Sequence, residues 1–239
     1  MQDQLAEQVA GIGALMEPAR RALYLYVAAQ PDAVSREQAA TAVDLPLHSV
    51  KFHLDRLVEE GLLEVEFRRL SGRSGPGAGR PSKLYRRSPL QLSVSLPERR
   101  YDLAGDVLAA AIERSVREGT PIDEAVRATA ADEGRSIAAA WLAENRSAAG
   151  RAPVAGRRRH ERLKTTANVL ASNGYEPRTS DREICLANCP FDRMATDHNE
   201  LVCGMNLALI GGVIEGLEVK GLTAEACPQP GFCCVKVRG

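Results

Sequence analysis

The chain has 239 residues, 31 basic against 31 acidic side chains, 44% hydrophobic residues and only 4% aromatic ones. That length exceeds one ordinary domain, the balanced charge gives no global attraction for nucleic acid, and an interior short of aromatics favours Ala-, Leu- and Val-rich helices over a β-sandwich. No apolar run reaches the ~18 residues of a membrane span, and Met1–Gln8 has neither the basic nor the apolar region of a secretory signal, so a cytoplasmic protein is predicted.

In chain order, residues 17–30 carry Leu23 and Val27 at helical spacing, and Gln30-Pro31-Asp32 stops that helix. Ser35-Arg36-Glu37-Gln38 is a capping-box pattern that opens a short helix to about Val43. Asp44-Leu45-Pro46 makes a turn, with Pro46 suited to the first position of the next helix. That helix, Pro46–Glu60, places Val50, Leu54, Leu57 and Val58 on one apolar face. Its other face offers His48, Ser49, Lys51, Phe52 and Arg56. Gly61 ends it, and Leu62–Phe67 alternates as a strand does. Two short helices, a tight turn and a β-hairpin are the plan of a winged helix-turn-helix, in which the second helix enters the major groove.

The hairpin loop, Leu70–Pro81, is Gly-rich, and Lys83-Leu84-Tyr85 is the expected returning strand. Between Phe67 and Arg87 there are seven basic residues and no acidic one. Of these, Arg68, Arg73, Arg80 and Lys83 are the expected phosphate or minor-groove contacts. A basic loop alone is as often merely solvated; following a two-helix pattern, it points to DNA. The loop lacks the Gly-Lys-Ser/Thr ending of a phosphate loop and leads into a strand, which removes that reading. The run His53-Leu54, Leu57, Glu60-Gly61-Leu62-Leu63 resembles the winged-helix regulators of the ArsR-like superfamily. The segment Gly79-Arg80-Pro81-Ser82-Lys83-Leu84-Tyr85 looks like the wing end of the SufR-like regulators.

Leu103, Val107, Ala111 and Ser115 recur every four residues in a helix that Glu118-Gly119-Thr120-Pro121 breaks, and a second helix is expected over 122–145. These helices are read as a dimerisation element, because a symmetric operator needs a two-fold protein; an intramolecular hairpin is the alternative. Ser147–Gly156 is a small-residue linker. Beyond it a helix over 160–172, one or two strands within Tyr175–Leu186, a short helix to about Asp197, a helix Leu201–Leu217 and a final strand Cys233–Val237 are expected. The fold class is therefore mainly α with α+β parts. It divides into a winged helix-turn-helix (1–92), a helical connector (93–155) and a small α+β cysteine-rich domain (156–239).

All six cysteines lie in that last part, at Cys185, Cys189, Cys203, Cys227, Cys233 and Cys234. In a reducing compartment such clustering points to metal or redox chemistry rather than disulfides. Thiolates suit both zinc and iron–sulfur clusters. The gaps C-x3-C, C-x13-C, C-x23-C and C-x5-C-C lack the paired C-x2-C knuckles of a zinc ribbon and fit a cluster gripped by separate loops. Asn188-Cys189-Pro190-Phe191, Leu201-Val202-Cys203-Gly204-Met205-Asn206 and Pro230-Gly231-Phe232-Cys233-Cys234 look like the cysteine segments of SufR-like iron–sulfur regulators.

That resemblance implies a repressor that binds DNA when its iron–sulfur cluster, of the [4Fe–4S] type or another, is present. On the matching positions Cys189, Cys203 and Cys233 are the expected ligands. Cys234 is a candidate fourth, although the strand pleat turns it to the side opposite Cys233; Cys227, Cys185 and His198 are weaker candidates. The expectation is thus a cytoplasmic, homodimeric, DNA-binding regulator that recognises a double-stranded operator and has no small-molecule substrate. A zinc-containing or thiol-responsive regulator is the alternative. Catalysis has little support: four histidines, no hydrolytic triad and no metalloprotease motif leave only a thiol redox reaction at Cys233-Cys234 as a distant option.

Overall fold

The computed structural model describes residues 2–69, 81–145 and 158–239 and divides into two compact units, Met1–Val94 and Ser95–Gly239. The first contains α1 (Gln2–Ala14), α2 (Pro18–Ala28), β1 (Val34–Ser35), α3 (Arg36–Val43), α4 (Leu47–Glu59), β2 (Leu63–Arg68) and β3 (Ser82–Arg87). Its helix starts are set by local chemistry. Glu17 accepts the amides of Ala19 and Arg20 at 3.2 and 2.7 Å, satisfying two orphan donors of α2. The capping box of α3 is formed in both directions: the Gln38 amide donates to Ser35 Oγ at 3.2 Å, and the Ser35 amide to Gln38 Oε1 at 2.8 Å.

Asp44 takes a left-handed conformation (φ 52°) to end α3, and Pro46 caps α4 instead of occupying its first turn. The buried face of α4 is Val50, Leu54 and Leu57, packed with Leu23, Val27, Ala39 and Tyr85. Gly61 adopts φ 71°, which lets the Leu62 amide reach back to Leu57 at 2.9 Å and turn the chain into β2. The sheet has the order β1-β3-β2, antiparallel throughout, with Val65 opposite Tyr85. Helix α1, for which no expectation was set, leaves Leu5, Val9 and Ile12 exposed and contributes Ala14 to the core. The expected wing loop at 70–80, with Arg73 and Arg80, lies outside the described residues, as does the linker 147–156.

The second unit contains α5 (Tyr101–Glu118), α6 (Ile122–Glu144), α7 (Arg159–Ala171), β4 (Pro177–Thr179), β5 (Glu183–Leu186), α8 (Asp192–Asp197), α9 (Asn199–Gly216), β6 (Thr223–Ala226) and β7 (Val235–Arg238). Its sheet, β4-β5-β7-β6, is antiparallel. Leu163, Leu170, Ile184, Leu186, Ile210 and Val237 form one core beneath it, and Leu103, Val107, Ala130, Phe191, Met205 and Leu209 form another. The connector segment and the cysteine-rich segment therefore lie in one unit, because α6 packs directly on α9. A Cβ at Gly134, Gly212 or Gly216 would collide with backbone or Cβ atoms of the facing helix. No described helix is long and apolar enough to cross a membrane.

Candidate functional site

Two regions carry chemistry. In the first unit, burial of Val50, Leu54 and Leu57 turns the opposite face of α4 outward. His48, Lys51 and the ring of Phe52 (65% exposed) are presented to solvent near its N-terminus, with Ser49 half-buried beside them. Arg56 is on the exposed side but is engaged within its own helix, bonding Glu59 at 3.1 Å and also Glu60. Arg68 is exposed at the end of β2 and lies 3.5 Å from Glu66.

Lys83 is placed differently from a free wing cation. Its Nζ is 2.5 Å from Asp55 Oδ1, to which the Tyr85 hydroxyl also donates at 3.1 Å. Burial disfavours both charges, but the hydrogen bonds outweigh it: Asp55 is held below the ordinary carboxylate range and Lys83 above the ordinary lysine value. Lys83 thus ties strand β3 to the outward helix α4.

In the second unit, an open cleft of ≈ 350 Å³ is lined by Cys189, Cys203, Cys233 and Cys234, with Asp192, Asn199 and Phe232 at its edges. Three places in the chain supply the sulfurs: the turn between β5 and α8, the first turns of α9, and the turn before β7. Because β7 begins only at Val235, Cys233 and Cys234 precede the pleat, and both line the same cleft. The expectation that Cys234 faces away is thereby corrected: alternation of faces holds inside a strand, not in the turn leading to it.

The thiols of Cys189 and Cys234 both donate to Cys233, which is held well below the ordinary thiol range despite its burial. The donors are pushed up, Cys189 by its bond to Cys233 and then by burial, Cys234 likewise and by its link to Cys203. Among the described residues no three His, Cys, Asp or Glu side chains are arranged to hold a single metal ion. Cys189, Cys203, Cys233 and Cys234 all line the one cleft.

The other sequence candidates lie elsewhere. Cys185 is half-buried on β5, 3.8 Å from Glu183 Oε1, and its thiol is pushed up by burial and by that carboxylate. Cys227 accepts from Gln229 Nε2 at 3.6 Å beyond the end of β6. His198 is exposed between α8 and α9. None of the three lines the cleft.

Two residues not anticipated from sequence complete the site. Asn206, fully buried on α9, donates from Nδ2 to Cys233 Sγ at 3.1 Å, and its Oδ1 accepts the Tyr175 hydroxyl. Burial, followed by the neighbouring cysteines, holds the Tyr175 phenol well above its ordinary value. A polar Asn amid Val202, Met205, Leu209 and Ile210 was the available signal, since a buried amide needs partners.

The first unit has the architecture of a winged helix-turn-helix, a class of DNA-binding regulator domain. In agreement, residues 15–66 match the helix-turn-helix domain family, over α2 to β2. No curated protein and no solved structure matches the chain.

Proposed function

We propose that the chain is a homodimeric transcriptional repressor whose operator affinity is controlled by an iron–sulfur cluster bound at Cys189, Cys203, Cys233 and Cys234. The observation that carries this reading is that four soft donors from three separate segments border one cleft. Thiolates from separate segments bordering an open cleft suit a multi-atom cluster. The cluster would supply redox and ligand sensitivity. The residues themselves would grip it, and Asn206 would donate a hydrogen bond to one ligand sulfur, a contact that tunes such groups. On the DNA side His48, Ser49 and Phe52 would face the groove while Lys51 and Arg68, with Arg73 and Arg80, would meet phosphates. A cytoplasmic location fits this role. The expected dimer would use the exposed apolar residues Ile112 and Val116 of α5.

A thiol switch is the second reading, favoured by the vicinal Cys233 and Cys234 sharing one cleft with Cys189 and Cys203. Anaerobic reconstitution with iron and sulfide separates the two. Broad visible absorption with stoichiometric sulfide, abolished by Cys189→Ala, Cys203→Ala or Cys233→Ala but kept in Cys185→Ala and Cys227→Ala, is the expected result. A colourless protein after reconstitution sinks the cluster reading and leaves the thiol switch.

A further inference from the structure

Residues 95–100 lead from Val94, the last residue of the first unit, to Tyr101, where α5 begins. Three successive residues of this segment are bonded to three successive residues of the turn that carries Cys189. Asn188, 5% exposed, donates from Nδ2 to the carbonyl of Glu98 at 3.1 Å and to that of Gly174 at 2.7 Å. Its Oδ1 accepts from a terminal nitrogen of Arg99 at 2.7 Å, and the same nitrogen donates to the carbonyl of Cys189 at 2.6 Å. The amide of Arg100 donates to the carbonyl of Pro190 at 3.1 Å. The Arg99 side chain is largely shielded, so losing these bonds would leave several polar groups without a partner.

A second line of contact runs from the far side of the cleft to the same segment. Cys233 Sγ accepts from Asn206, Asn206 accepts from Tyr175, and Tyr175 follows Gly174, whose carbonyl holds Asn188. Gly174 has φ 83°, and a Cβ there would touch the side chains of Glu98 and Arg100 at 3.4 Å. The turn at 173–175 therefore packs against residues 98–100. Both the turn that carries Cys189 and the hydrogen-bond chain from Cys233 end on one short stretch of backbone.

We propose that the Asn188–Arg99 clamp is the relay by which ligand gain or loss at Cys189 is transmitted to the segment 95–100 and so to the DNA-binding unit attached at Val94. The inference rests on the cluster reading given above. Ligation of Cys189 fixes the main chain between Asn188 and Pro190, and both of these hold the segment. Release of the ligand frees the turn, and the segment follows it. Asn188 and Arg99 are positioning residues that act through the main chain of Cys189.

The test compares full-length wild type with Arg99→Gln, each with and without its cluster, in DNA binding by fluorescence anisotropy and in visible absorption. In wild type the two states should differ in operator affinity by about tenfold or more, within the usual range of coupling between sites. In Arg99→Gln the absorption and the iron and sulfide content should be unchanged, while the affinity ratio falls below about twofold. A variant with an intact cluster and the full wild-type ratio overturns the relay and leaves the cluster reading standing. A wild type that takes up no cluster, or whose affinity ignores it, overturns the cluster reading, and the relay falls with it. Should Arg99→Gln lose the cluster, Arg99→Lys is measured beside it. If both are folded by circular dichroism yet empty, Arg99 serves to hold the site itself, and the relay is again overturned.

Discussion

The side-chain amide of Asn206 stands 3.1 Å from the sulfur of Cys233 and at the same time accepts the hydroxyl hydrogen of Tyr175. Both side chains are buried, so neither partner has water as a substitute. This makes the pair a point where stability and cysteine chemistry are joined.

Asn206→Leu should destabilise the second unit by about 1–3 kcal/mol, because it strands the Tyr175 hydroxyl. Tyr175→Phe strands the Asn206 carbonyl and should cost about 1–2 kcal/mol on the same ground. The double variant should lose less than the sum, since removing both partners leaves no unpaired group between them. Urea unfolding of all three against wild type checks this; strict additivity would show that the bond contributes nothing.

The approach of α6 to α9 leaves no room for a methyl group at Gly212, where a Cβ would meet the carbonyl of Ala131, while at Gly211 it would meet nothing. Gly212→Ala is expected to destabilise by about 1–3 kcal/mol through overpacking against backbone. Gly211→Ala, in the same helix, is expected to stabilise by up to about 1 kcal/mol through helix propensity. Thermal unfolding should move the two in opposite directions.

The Asp55–Lys83 pair should give the first unit a pH dependence. Asp55 titrates below its ordinary value when folded, so its contribution is complete above the ordinary carboxylate range and is lost as pH falls through the depressed folded value. Lys83 titrates above its ordinary value when folded, so its contribution is complete below the ordinary lysine value and is lost as pH rises through the raised one. Both side chains are about one-third exposed, which limits the pair to about 1 kcal/mol or less. Asp55→Asn should therefore lower the urea midpoint near neutral pH, and the difference from wild type should vanish in strong acid.

On the DNA face, Lys51→Gln should weaken binding to all sequences alike and reduce the dependence of log affinity on log salt by about one. His48→Ala and Ser49→Ala, nearer the start of α4, should instead change the preference among operator sequences. Anisotropy titrations over a salt series distinguish the two behaviours. A Lys51 variant with an unchanged salt slope would remove that residue from the phosphate contacts.

Most of the first unit's core was legible from residues near each other in the chain. The spacing of Val50, Leu54 and Leu57 anticipates the buried face of α4, and Ser35 with Gln38 anticipates the start of α3, because capping and periodicity are short-range effects. Lys83 was read as a free cation because its partner Asp55 is 28 residues away.

The cysteine site divides along the same line. That all six cysteines fall near the C-terminus was plain in the chain, and the resemblance implied Cys189, Cys203 and Cys233 as the expected ligands. That Cys234 lines the same cleft as Cys233 instead of facing away, and that Asn206 and Tyr175 are buried beside it, were decided only by tertiary structure. The reason is physical. Helices, caps and turns depend on a few consecutive residues, whereas the company a sulfur keeps depends on where β7 begins, how β5 pairs with it, and how closely α9 lies on α6.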